Sequence, residues 1–159
     1  MRKEVKLEEL KDFVENFLQQ LPSRDSATVI GLYGNLGAGK TTLVKELAKQ
    51  LGVSEDVTSP TFTLMKTYEL DPGSLGSVNE LKVRDDVPSF KKLIHIDLYR
   101  IENAEEIKII NLEELFEEKD SIILIEWIDR IENELKDDFM KIKIEYKDEN
   151  SREIEIIYG

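Results

Sequence analysis

Residues 27–33 read ATVIGLY, residues 34–41 read GNLGAGKT, and residues 42–51 read TLVKELAKQL. The first run is short, apolar and rich in β-formers, which predicts a buried strand. The last has helical periodicity, and Gly52 follows it where a helix ends. Between them, Gly34 to Thr41 matches G-x-x-x-x-G-K-[ST]. From average residue usage, a chance match in a chain this long has a probability of roughly half a percent. Strand, glycine turn and helix in that order are what a phosphate-binding loop needs.

The residue types follow from the chemistry. Glycines let backbone N–H groups approach phosphate oxygens with no Cβ in the way. The helix start adds unpaired N–H groups and the positive end of its dipole. Lys40 is a compact charge for the β- and γ-phosphates. The Thr41 hydroxyl is a hard oxygen suited to Mg²⁺. The stretch Gly34, Asn35, Leu36, Gly37, Ala38, Gly39, Lys40 and Thr41 is therefore the expected nucleotide site, with a nucleoside triphosphate and Mg²⁺ as ligands. No guanine-reading N-K-x-D stretch is present, which favours ATP.

Outward from this loop, the rest reads as alternating strands and helices. Leu7, Leu10, Val14, Phe17, Leu18 and Leu21 recur at helical spacing, predicting an N-terminal helix with one buried face. Thr61–Leu70 and Leu93–Leu98 read as strands, and Ser121–Ile125 as an apolar strand ending at Glu126. Residues 105–118 predict one or two short helices, with Asn111 and Glu114 placed like a cap and its partner. A short helix is expected over 129–136. Met140, Ile142, Ile144 and Tyr146 alternate, as do Ile154, Ile156 and Tyr158, which predicts a hairpin. Residues 71–90 show no period and predict a long loop or insertion.

The expected fold is an α/β, P-loop NTPase-like three-layer sandwich. Its central sheet is mostly parallel, with a C-terminal antiparallel hairpin and a single domain over 1–159.

Composition narrows the functions. The chain has 159 residues, no cysteine and one histidine. Thiol catalysis, disulfides and multi-histidine metal sites are excluded. A formal net charge of −12 opposes a direct grip on nucleic acid, so work on RNA is expected to run through a partner. The same charge also serves plain solubility. No apolar run approaches the ~20 residues of a membrane span, and the N-terminus lacks a signal-peptide core, so the cytosol is expected.

Hydrolysis needs a carboxylate for metal or water. Such groups sit at the carboxyl ends of parallel strands. Glu126 and Asp97 occupy those positions, although either could be a structural charge ending its strand. His95 shares a strand face with Asp97. Ser59, Thr61 and Thr63 are candidates for a hydroxyl near the γ-phosphate. Arg100, Arg130 and Arg152 are candidate charge clamps, and Trp127 is core or a contact surface.

Four separated blocks, GNLGAGKTT from Gly34, SPTFTL from Ser59, HIDLYRI from His95 and LIEW from Leu124, resemble the TsaE (YjeE) family of small bacterial P-loop ATPases. The resemblance implies a role in threonylcarbamoyladenosine (t6A) modification of tRNA. It also implies action on the TsaD–TsaB heterodimer, with tRNA reached only through that complex. ATP hydrolysis is expected to be slow alone and stimulated by the partner. By position, Lys40, Asp97 and Glu126 are the implied catalytic residues, Thr41 and Glu126 the metal-side pair, Thr42 a second phosphate-contacting hydroxyl, and Arg152 a basic position near the nucleotide. Trp127 resembles a functionally needed tryptophan. The family usually has aspartate where this chain has Asn35. A small-molecule kinase and an assembly factor that needs no turnover are the competing expectations.

Overall fold

A computed structural model describes residues 1–70, 89–135 and 139–159. Among the described residues there are seven strands: β1 (Arg2–Lys6), β2 (Thr28–Tyr33), β3 (Met65–Glu69), β4 (Lys92–Asp97), β5 (Ser121–Glu126), β6 (Met140–Tyr146) and β7 (Ser151–Ile157). Three α-helices accompany them: α1 (Leu10–Leu18), α2 (Lys40–Gln50) and α3 (Leu112–Phe116). The strands form one sheet in the order β1-β7-β6-β2-β5-β4-β3. Its centre, β6-β2-β5-β4, is parallel, and β1, β7 and β3 pair antiparallel at the flanks.

Side-chain alternation divides the core between the two sheet faces. On one face Ile30, Leu32, Leu93, Ile122, Leu124 and Ile142 pack against Val14 and Phe17 of α1 and Leu43, Val44 and Leu47 of α2. On the other, Val29, Ile94, Ile96, Ile123 and Ile125 pack against Ile107, Leu112, Ile128 and Phe139. This is the expected three-layer sandwich. β5 is buried along its whole length, as its unbroken apolar run requires.

Several local expectations change. The N-terminal helix opens with a 3-10 turn over Leu7–Glu9 and becomes α-helical at Leu10, and Leu7 is 63 % exposed rather than on the buried face. Before it, residues 2–6 form β1, with only Val5 buried. One apolar residue in five carries no alternation to read, and the strand exists because β7 offers it an edge. β3 is shorter than expected: Thr63 and Leu64 turn back on the Pro60 carbonyl, and Leu64 has φ 67°. Residues 104–110 form a 3-10 helix before α3. There Glu106 accepts from the Asn103 backbone N–H, and Asn111 stands at the start of α3 as expected, its side-chain amide donating to Glu114. Residues 128–130 and 132–134 form two 3-10 turns in place of one short helix. The hairpin is as expected, but Tyr146 and Tyr158 stay exposed beyond the covered part of the sheet. The expected loop lies outside the described residues, apart from positions 89 and 90.

Candidate phosphate-binding site

The loop between β2 and α2 takes backbone conformations only glycine reaches cheaply. Gly34 has φ 145°, and a Cβ there would lie 2.4 Å from the Ile144 carbonyl oxygen of β6. Gly39, at φ 108°, caps α2, so Lys40 and Thr41 open the helix at its positive end.

Lys40 is 4 % exposed, and its ammonium donates to the carbonyls of Gly34 at 2.6 Å and Asn35 at 3.0 Å. It also lies 3.9 Å from the centre of the Trp127 ring. Burial pushes Lys40 below the ordinary lysine value of 10.5, while Glu126, Asp97 and Asp129 pull it part of the way back. Asn35 contributes its backbone carbonyl, which any residue at that position could supply.

The two carboxylates are brought together by register. Asp97 and Glu126 are paired positions on the parallel strands β4 and β5, so both point to the α2 side. The Thr41 hydroxyl stands 2.9 Å from each oxygen of Glu126, which is 2 % exposed. His95 Nε2 lies 2.9 Å from Glu126 Oε1. Asp97 accepts from Ser59 and Thr61, both at 2.6 Å on Oδ2, and from the Tyr99 N–H at 2.9 Å on Oδ1. Ser59 and Thr61 thus join the site. Thr63 does not, and its hydroxyl sits 3.5 Å from the Pro60 carbonyl.

Arg152, on β7, donates its Nε–H to the Ala38 carbonyl at 2.7 Å, which places it against the loop. Arg100 stacks on Phe62 at 4.1 Å, at the mouth of the cleft. Arg130 instead donates to the Ile101 carbonyl at 2.6 Å, beneath the Tyr99–Trp127 pair. Trp127 has φ 60°, a left-handed conformation that turns the chain out of β5 and holds the ring over Lys40.

Two cavities meet at Gly39 and Thr42. One, of about 450 Å³, is lined by Lys40, Thr41, Ser59, Asp97, Glu126 and Trp127, among others. The second, of about 300 Å³, lies on the other side of the helix start. Val5, Leu7, Leu10, Leu43 and Ile154 give it apolar walls, and Asn150 and Arg152 a polar rim. Sequence reasoning missed this second cavity, because β1 forms one wall and only pairing with β7 creates β1. Tyr99 and Phe62 were also missed as cleft residues; their place in the SPTFTL and HIDLYRI blocks was the available signal.

The donor set suits a hard divalent cation. No cluster of three or more His, Asp or Glu that could hold a metal occurs among the described residues. Thr41 and Glu126 supply only oxygens. Mg²⁺ is commonly held in this way, by one or two side chains together with phosphate oxygens.

The central parallel sheet, the glycine loop between β2 and α2, and an acid on the neighbouring strand against the loop threonine define a P-loop α/β fold. The chain belongs to the TsaE family: the family model described as threonylcarbamoyl adenosine biosynthesis protein TsaE matches residues 5–154. A tRNA threonylcarbamoyladenosine biosynthesis protein TsaE from Aquifex aeolicus is 38 % identical over 159 residues, covering 97 % of this chain and 95 % of that one. The protein of the same name from Haemophilus influenzae is 32 % identical over 133 residues, covering 84 % and 72 %. The crystal structure of Bacillus subtilis YdiB matches with a TM-score of 0.63 at 27 % identity, covering 100 % of this chain and 88 % of that one. No helix among the described residues is long and apolar enough to cross a membrane.

Proposed function

We propose that this chain, as one domain over residues 1–159, is a cytosolic Mg²⁺-dependent ATPase. Its turnover serves t6A modification of tRNA by acting on the TsaD–TsaB complex. The observation that carries the reading is the contact of the Thr41 hydroxyl, 2.9 Å from both oxygens of Glu126, at the start of the phosphate-loop helix. The names of the related proteins support the pathway.

ATP enters with its triphosphate along the loop. Lys40 gives up the carbonyls of Gly34 and Asn35 for phosphate oxygens, a stronger charge-assisted pairing. Loop N–H groups and the start of α2 hold the remaining oxygens. Thr42 lies between the two cavities, so a nucleotide laid along it places its base among Val5, Leu7, Leu10, Leu43 and Ile154. Arg152, already fixed on Ala38, flanks that passage.

Thr41 and Glu126 would hold Mg²⁺, which supplies charge neutralisation at the β- and γ-phosphates. The Thr41 proton is directed at Glu126, which leaves its lone pairs for a cation. Asp97 or Glu126 orients the attacking water from the α2 side of the sheet. With Asp97 engaged by Ser59, Thr61 and Tyr99, the site is ordered, and among the described residues Arg100 and Arg130 are turned to Phe62 and to the Ile101 carbonyl. Slow hydrolysis alone and stimulation by a partner follow.

The test is steady-state ATP hydrolysis by the purified chain, alone and with the TsaD–TsaB heterodimer. Stimulation that disappears in Glu126→Ala, with ATP still bound, supports the reading. No stimulation of a chain that still binds ATP removes the pathway assignment. Loss of ATP binding in a folded Glu126→Ala makes Glu126 a structural group.

A further inference from the structure

His95 is fully buried on β4, at 0 % exposure, and does not line the cleft. Its Nε2 lies 2.9 Å from Glu126 Oε1. An ionised carboxylate only accepts, so the Nε2–H donates. The other ring nitrogen, Nδ1, is buried with no hydrogen-bond partner among the described residues. A half-satisfied polar ring in a core is destabilising, so a residue kept only for packing would be better replaced by an aliphatic one. The neighbours of His95 on its sheet face are such residues, Leu93 on β4 and Leu124 beside it on β5.

The hydrogen bond its ring makes among the described residues falls on Glu126. Glu126 in turn takes the single hydroxyl proton of Thr41. Fixing the carboxylate therefore fixes the Thr41 hydroxyl, with its lone pairs left for a cation. We propose that His95 is a positioning residue for Mg²⁺ use: it anchors Glu126, and through Glu126 it orients Thr41. The inference rests on the reading of Thr41 and Glu126 as the metal-side pair. Without His95, the Thr41 hydroxyl is the remaining side-chain donor to Glu126 among the described residues, and the buried carboxylate can swing. Outer partners of this kind are typically worth about 10- to 100-fold in metal affinity or activity.

The test uses the full chain as wild type, His95→Gln and His95→Leu. A fluorescent, non-hydrolysable ATP analogue is titrated in Mg²⁺ and again in EDTA. The readout is the ratio of the two affinities, because a packing defect would move both by a similar factor. In His95→Leu the Mg²⁺ enhancement is expected to shrink by about tenfold or more, while affinity in EDTA holds. In His95→Gln, whose amide N–H reaches about as far as Nε2, the ratio is expected to stay within about threefold of wild type. If His95→Leu does not fold, His95→Asn carries the same expectation, since its amide is polar but too short to reach Glu126.

An unchanged ratio in the Leu or Asn variant overturns the role of His95, as does an equal loss in His95→Gln. Absence of any Mg²⁺ enhancement in the wild type overturns instead the metal reading of Thr41 and Glu126.

Discussion

Lys40 donates to two loop carbonyls and lies against Trp127, and an arriving triphosphate must compete for it. A charge-assisted hydrogen bond is worth about 1.5–3 kcal/mol, so Lys40→Ala is expected to weaken ATP binding by at least roughly tenfold, measured by calorimetric titration. Burial holds its ammonium below the ordinary value of 10.5. Bound phosphate favours the charged form and raises that pKa. Affinity is therefore full below the depressed free-state value and falls as pH rises through it, sooner than an exposed lysine would cause. Titrations across the alkaline range check the sign: affinity that holds steady well past that point would argue against Lys40 as the phosphate partner.

The element that sets the site is the parallel pair β4–β5. It places Asp97 beside Glu126 and puts both, with His95, on the α2 face. Behind them, on the opposite face, β2 needs room at Gly31. A Cβ there would lie 2.8 Å from Ile128 and 3.0 Å from Phe139, both in the second core. Gly31→Val is expected to overpack that layer and cost roughly 1–3 kcal/mol, read as a lower urea midpoint with unchanged slope. Ile128 immediately follows Trp127, so part of the loss is also expected in nucleotide affinity. A Gly31→Val variant as stable as wild type would mean that the layer yields.

At the scale of the molecule, β1 couples the chain's start to the nucleotide site. It pairs along β7 from Arg2↔Glu155 to Lys6↔Ser151 and adds Val5 and Lys6 to the walls of the 300 Å³ cavity. Removing residues 1–6 uncovers the β7 edge and opens that wall. The truncated chain is expected to bind ATP about tenfold more weakly, in line with losing one to two buried apolar contacts. Binding of inorganic triphosphate, which has no base, should be spared. Equal loss for both ligands would place the base elsewhere. Aggregation through the bared edge is a second expected change, read by light scattering.

The motif, the strands β2, β4 and β5 and the candidate acids were legible because each is local. A glycine pattern, an apolar run and an acid at its end are all properties of a few consecutive residues. The sequence by itself determined that a phosphate loop lies between a buried strand and a helix, that Thr41 follows Lys40 there, and that Cys and multi-His chemistry are absent. Tertiary structure alone decided the rest. That Glu126 meets Thr41 and His95 depends on the register of β4, β5 and β2, which no single strand encodes. That β1 is a strand depends on the hydrogen-bonding edge β7 offers, because Arg2–Lys6 has one buried side chain and too little pattern of its own. That Leu7 is exposed and helps wall a cavity depends on where β1 ends. Local sequence fixes what a residue can do chemically, while long-range pairing fixes which other residues it meets.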